Sequence, residues 1–247
     1  MTYENSLARL FTSWPIQKWK ELEIKNNANR NYAKLVLAIL AVWLGIAIAA
    51  SRLLVFHAGS TYAFQPPVPL GLAVTLPILV FVLWYATSPG FREFVLSLNP
   101  KNLTIVQTWR IGGMTFVVLY VYGILPGVFA LPAGWGDFAI GITAPFVAIY
   151  LAGNAERKAS YIAWQLFGML DLVTAVTLGV LASPPPVGIL GHAVTTKAMT
   201  VLPLSVIPTF AVPLLLILHI ISIAQMVKGQ AYASTQSSPA ISRALIG

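Results

Sequence analysis

Apolar residues run through this chain in six long blocks separated by short polar stretches: Leu35–Ser51, Leu70–Thr87, Leu103–Leu125, Ala133–Ala152, Ser160–Leu181 and Leu202–Met226. Each block holds about 17–25 residues, the length an α-helix needs to cross a hydrocarbon layer of about 30 Å. The pattern predicts an all-α membrane protein, a bundle of six transmembrane helices over residues 35–228.

Residues 1–34 follow a different rhythm. Leu7, Leu10, Phe11 and Trp14 fall on one helical face, and Ile16, Trp19 and Leu22 continue it beyond Pro15, with lysines between them. This predicts an amphipathic helix lying on the cytoplasmic membrane surface, or docking on a partner. Phe91–Leu98 is a shorter segment of the same kind. Residues 229–247 are small and polar and are expected to form a flexible cytoplasmic tail.

Composition agrees with the blocks. Charged residues make up 9% of the 247 positions and hydrophobic ones 57%, whereas soluble domains carry about 25% charged residues. The net charge of +8 therefore speaks of topology rather than of nucleic acid. With six spans, both termini and the second and fourth loops share one side. That side holds Arg9, Lys18, Lys20, Lys25, Arg30, Lys34, Arg92, Lys101, Arg157, Lys158, Lys228 and Arg243, against Arg52 and Lys197 on the other. Basic residues mark the inside, so both termini are expected in the cytoplasm and the protein in the cytoplasmic (inner) membrane. No secretory signal pattern opens the chain. The absence of cysteine excludes disulfides, thiolate metal sites and iron–sulfur clusters.

Against this background, four ionisable residues inside the blocks carry the chemistry: Arg110, Asp137, Asp171 and His219. A charge at membrane depth is costly, by roughly 2.5–3.5 kcal/mol on insertion scales, and marks a site or a buried pairing. Helical spacing puts Asp137 with Gly134, Gly141, Ala144 and Ala148, and Asp171 with Trp164, Gly168, Ala175 and Gly179. Small-residue stripes let helices approach closely, so both aspartates are expected to face the bundle interior. Arg110 aligns with Gln107 and Gly113, and His219 with Ser205, Thr209, Val212, Leu216 and Ser222. An Arg110–Asp171 ion pair is expected, with Gln107, Trp164 and Thr209 as supporting groups. Asp137 has a second reading, as a helix cap just after Pro132.

Other chemistry finds little footing. Gly134-Trp135-Gly136-Asp137 matches the short GxGD pattern of intramembrane aspartyl proteases, with Asp171 as second acid, but the order of the two acids is reversed. His219 has no histidine at its own level for a haem, and the loop residues His57 and His192 form too small a set for a metal. No span contains a lysine for a retinal Schiff base, and no phosphate loop, HExxH or nucleophile elbow occurs. The sequence names no cofactor. Pro77, Pro145 and Pro213 recur at equal intervals, a faint sign of a repeated hairpin such as some transporters use.

Three segments resemble blocks of an uncharacterised group of bacterial multi-pass integral membrane proteins: Leu131 to Asp137 (LPAGWGD), Trp164 to Leu172 (WQLFGMLDL) and Leu202 to His219 (LPLSVIPTFAVPLLLILH). The resemblance covers the third to sixth blocks and implies no activity. Three functions remain open. The first is binding or movement of a small solute, proton or ion through the internal polar site, with Asp171 central. The second is an accessory subunit of a larger membrane complex or a homo-oligomer, which the short loops and the amphipathic arm would suit. The third is an aspartyl-type intramembrane enzyme using Asp137 and Asp171.

Overall fold

A computed structural model describes residues 4–57, 68–185, 187–191 and 193–236. Among them every regular element is helical: α1 (Glu4–Arg52), α2 (Val68–Thr87), α3 (Pro89–Ser97), α4 (Pro100–Val106), a 3-10 segment (Gln107–Gly113), α5 (Met114–Val121), α6 (Gly127–Tyr150), α7 (Lys158–Leu181), a 3-10 turn (Thr196–Thr200), a π-helical segment (Ile207–Ala211) and α8 (Val212–Gln236). Among the described residues, four helices are long and apolar enough to cross a membrane: Asn26–Arg52, Val68–Thr87, Lys158–Leu181 and Ile207–Lys228.

Two compact units divide the chain, residues 1–43 and 44–247. The first is helical from Glu4 onward and α1 has no break at residue 34, where the pattern suggested that an arm gives way to a span. The side chains of the Leu7–Trp19 stripe, and Leu22, lie outside the described residues. At the other end, α8 continues through residues 229–236 of the expected tail. Residues 237–247 lie outside the described residues, as does His192.

The second unit is built around α6. This helix packs against α4, the 3-10 segment, α5 and α7, and α7 in turn packs against α8. Its inward face is made of Ala130, Ala133, Gly134, Gly141, Ala144 and Ala148, all buried. Removing side-chain bulk is what lets backbones meet. A Cβ added to Gly134 would stand 3.2 Å from the Gly113 carbonyl, and one on Gly141 only 2.5 Å from the Ile111 nitrogen. Phe116, Leu125, Phe129 and Met199 close an apolar cluster beside this contact.

The third apolar block differs from the single helix its pattern suggests. It forms α4, then seven residues of 3-10 helix, then α5. A 3-10 helix has 3.0 residues per turn, so positions three apart eclipse. Gln107, Arg110 and Gly113 accordingly stack on one face, and all three are buried. The last block is also irregular. Its π-helical turn, Ile207–Ala211, includes Pro208, and Pro213 follows one residue inside α8. Thr209 is buried here and its hydroxyl donates to the Ser205 carbonyl.

The short helix α3 presents its apolar face to protein. Phe91, Phe94 and Val95 are buried, the Trp84 and Phe91 rings stack at 3.8 Å, and Gln225 of α8 donates to the carbonyls of Val95 and Leu98. Ser88 caps the helix by accepting from the Phe91 N–H.

Candidate functional site

The 3-10 segment, α6, α7 and α8 each contribute one ionisable side chain to a single buried cluster, and Arg110 is its hub. The Arg110 Nε donates to Asp137 Oδ1 at 2.7 Å. Its Nη2 donates to Asp171 Oδ2. Its Nη1 donates to the Gly168 carbonyl at 3.0 Å and meets His219 Nε2 at 3.2 Å. All three guanidinium nitrogens are therefore engaged, by partners from three different helices. A planar fork with five fixed donors is suited to such a junction, and a lysine ammonium is not.

The hydrogen bonds also determine how His219 carries its proton. Arginine has no acceptor, so a hydrogen bond at Nε2 makes that nitrogen the acceptor. Nδ1 then carries the hydrogen and donates to Gln165 Oε1. A neutral imidazole satisfies both contacts. The histidine is fully buried, and the Trp164 ring lies against it with centroids 5.9 Å apart. Trp164 itself donates to the Thr143 hydroxyl at 3.0 Å.

Glycines make room for these groups. A Cβ on Gly113 would lie 2.6 Å from Asp137 Oδ2, and one on Gly136 would fall on the Asp171 carboxylate. At Gly168 an added Cβ would run into the His219 ring and approach Arg110 Nη1 at 3.3 Å. A side chain at any of the three would displace a charged or aromatic partner rather than a flexible tail.

The expected residues separate clearly. Arg110, Asp137, Asp171 and His219 come together, and the Arg110–Asp171 contact is joined by a second, Arg110–Asp137. Trp164 borders the cluster. Gln107 sits one 3-10 turn below Arg110 and its amide reaches the Leu215 carbonyl at 3.4 Å, a long contact. Thr209 donates to the Ser205 carbonyl one turn before it. Asp137 does not cap a helix: α6 begins at Gly127, well before Pro132, so the carboxylate is mid-helix and turned to Arg110. The residue that the pattern did not single out is Gln165. Its signal was its position, one turn before Gly168 on the buried stripe of α7. Arg110 is bonded to both aspartates of the GxGD reading. Of the two loop histidines, His57 bonds through Nδ1 with the Thr200 hydroxyl at 2.9 Å.

Burial is uneven across the cluster. Arg110 is 1% exposed, whereas Asp137 and Asp171 are 14% and 17% exposed. On that side a cavity of about 570 Å³ opens, walled by α2, α7, Phe116, Phe129 and the segments around Ser183, Lys197 and Ile207, with Asp137 among its lining. On the other side, the buried atoms Gln107 Oε1 and Gln165 Nε2 have no hydrogen-bond partner among the described residues. One layer further on, Tyr161 and Thr104 share a 2.8 Å hydrogen bond.

Residues 67–227 match the family described as a domain of unknown function, DUF8737. The match takes in α2 through most of α8, well over half of the chain, and the chain belongs to that family. No curated protein matches it, and no solved structure does.

Proposed function

We propose that this member of the DUF8737 family is a six-span protein of the cytoplasmic membrane that binds and moves a proton or small solute through the Arg110 cluster. The observation that carries the reading is convergence: three costly ionisable groups from three helices meet on a fourth, the Arg110 guanidinium. Intramembrane charges gathered in this way mark ion or proton pathways.

Two further spans join the four long apolar helices in this reading. The continuous run α4–3-10–α5 covers residues 100–121, about 36 Å at the rises of the two helix types. Helix α6 has 24 residues, again about 36 Å. Both exceed the hydrocarbon thickness of about 30 Å. Their glycines, prolines and charges lower their hydropathy without shortening them. The lysine and arginine bias then puts both termini inside.

Arg110 stays charged and acts as the fixed counter-charge. Asp171 and Asp137 are the groups that take up a proton or a cation from the cavity side. A proton reaching His219 Nε2 would turn an acceptor into a donor facing Arg110, so its arrival separates the two side chains and opens the inner half of the path. Gln107 Oε1 and Gln165 Nε2 offer the unfilled acceptor and donor that a water chain to the cytoplasm requires.

Proteoliposomes loaded with a pH-sensitive dye test this directly. Under an imposed potassium diffusion potential, the wild type should pass protons. Asp171→Asn should reduce the flux at least tenfold while remaining monodisperse in detergent. Undiminished flux in that variant overturns the proposal.

A further inference from the structure

The cavity above Asp137 has a chemistry that a bare proton or metal ion does not use. Its walls are apolar, formed by residues such as Phe116, Phe129, Leu172, Val176 and Ile207. Its volume of about 570 Å³ lies in the range that holds an organic ligand of moderate size. Asp137 and the exposed Lys197 are the charged residues among its described lining. They lie at different heights. Asp137 belongs to the layer of Asp171, whereas Lys197 follows Thr196, whose hydroxyl donates to the Gly179 carbonyl. Eight residues of α7 separate those layers, about 12 Å. The cavity thus has an acidic floor, a long apolar wall and a basic rim.

Charge at the floor is unbalanced. Asp137 and Asp171 oppose one guanidinium, and the hydrogen bonds of His219 are those of a neutral ring. Asp137 accepts through Oδ1 alone among its described contacts, which leaves Oδ2 without a donor. An excess negative charge beside an apolar lumen is costly unless a cation meets it.

We infer that this cavity binds a lipophilic organic cation, an amine whose ammonium sits on Asp137 and whose apolar body lies along α7. The inference deepens the proposed function by naming the class of molecule that reaches the cluster, but it does not depend on movement across the membrane.

The test compares 4-phenylbutylamine with 4-phenylbutan-1-ol, which share a shape and differ in charge. Each is titrated against the purified full chain in lipid nanodiscs, followed by tryptophan fluorescence. The wild type should bind the amine at least tenfold more tightly than the alcohol. In Asp137→Asn the preference should fall below twofold. Gly179→Leu leaves the cluster intact and fills the lumen, since its Cβ would stand in ordinary contact with the Phe129 ring at 3.6 Å. It should weaken both probes at least fivefold, and it keeps the test decisive if Asp137→Asn does not fold. Equal affinity for the two probes in the wild type, or an amine affinity that Gly179→Leu leaves unchanged, overturns the inference. Absence of proton flux with retained amine preference removes the relay and leaves the ligand site standing; flux without amine preference does the reverse.

Discussion

Two buried polar layers lie one above the other along α7, and they are built to opposite specifications. The lower layer joins Thr104 of α4 to Tyr161 of α7, with the Pro100 carbonyl accepting from the Thr104 hydroxyl at 2.9 Å. It is neutral, and its two side chains are 1% and 0% exposed. The upper layer joins Arg110 to Asp137, Asp171 and His219. It is charged, both its carboxylates are partly exposed, and Asp137 opens on a cavity. A hydroxyl pair closes the backbone's hydrogen bonds and locks two helices in register. A guanidinium shared by two carboxylates does far more than register requires, because every charge in it must be kept from lipid. The difference marks the upper layer, and not the lower, as the candidate site.

The largest effect that would sharpen this contrast comes from Arg110→Leu. Removing the hub leaves two buried carboxylates without their cation, a loss of about 3–5 kcal/mol for breaking a buried pair from one side. The thermal unfolding midpoint in detergent should fall more than for any other single change considered. Adding Asp137→Asn and Asp171→Asn should recover most of that fall, since a neutral layer carries no orphaned charge. A triple variant no more stable than Arg110→Leu alone would mean that the arginine acts through shape and not charge.

Adjacent in magnitude is the crowding test. Gly168→Ala drives a methyl into the His219 ring and toward Arg110, and overpacking of this kind costs about 1–3 kcal/mol. Gly112→Ala, whose Cβ would meet nothing within 4 Å, is the matched control and should change the midpoint little. Equal destabilisation by the two alanines would show that crowding against the cluster is not what requires glycine at 168, since alanine is the better helix former at both positions.

The smallest effect belongs to the lower layer. Tyr161→Phe removes one neutral hydrogen bond and leaves the Thr104 hydroxyl its bond to Pro100, so the loss should be about 0.5–1.5 kcal/mol. Proton flux and amine binding should stay within twofold of wild type. A large fall in flux for Tyr161→Phe would move this layer out of packing and into the path.

The two layers were not equally legible from residue order. The upper one announced itself because Arg110, Asp137, Asp171 and His219 are ionisable in apolar surroundings, and their small-residue neighbours recur at helical spacing. The lower one did not, because threonine and tyrosine are ordinary in membrane helices and nothing in their spacing marks a partner 57 positions away. Gln165 was missed for the same reason: its role depends on the rotation of α7 against α8, which brings it to His219 Nδ1. Asp137 is not a cap because Pro132 lies inside α6 and not at its start. A proline can sit inside a helix if the one bond it forfeits is tolerated, and α6 already runs from Gly127.

By itself, the sequence determined the apolar helical character of the chain, the few positions at which charge interrupts it, and the helical faces those charges share. These follow from composition and a period near 3.6 residues, both local properties. Tertiary structure alone decided that one guanidinium serves both aspartates and the histidine. It also decided that a 3-10 turn carries Arg110 and that the open side of the cluster is an apolar cavity. Those outcomes depend on how closely and at what rotation helices meet, which the glycines at 113, 136 and 168 permit but do not specify.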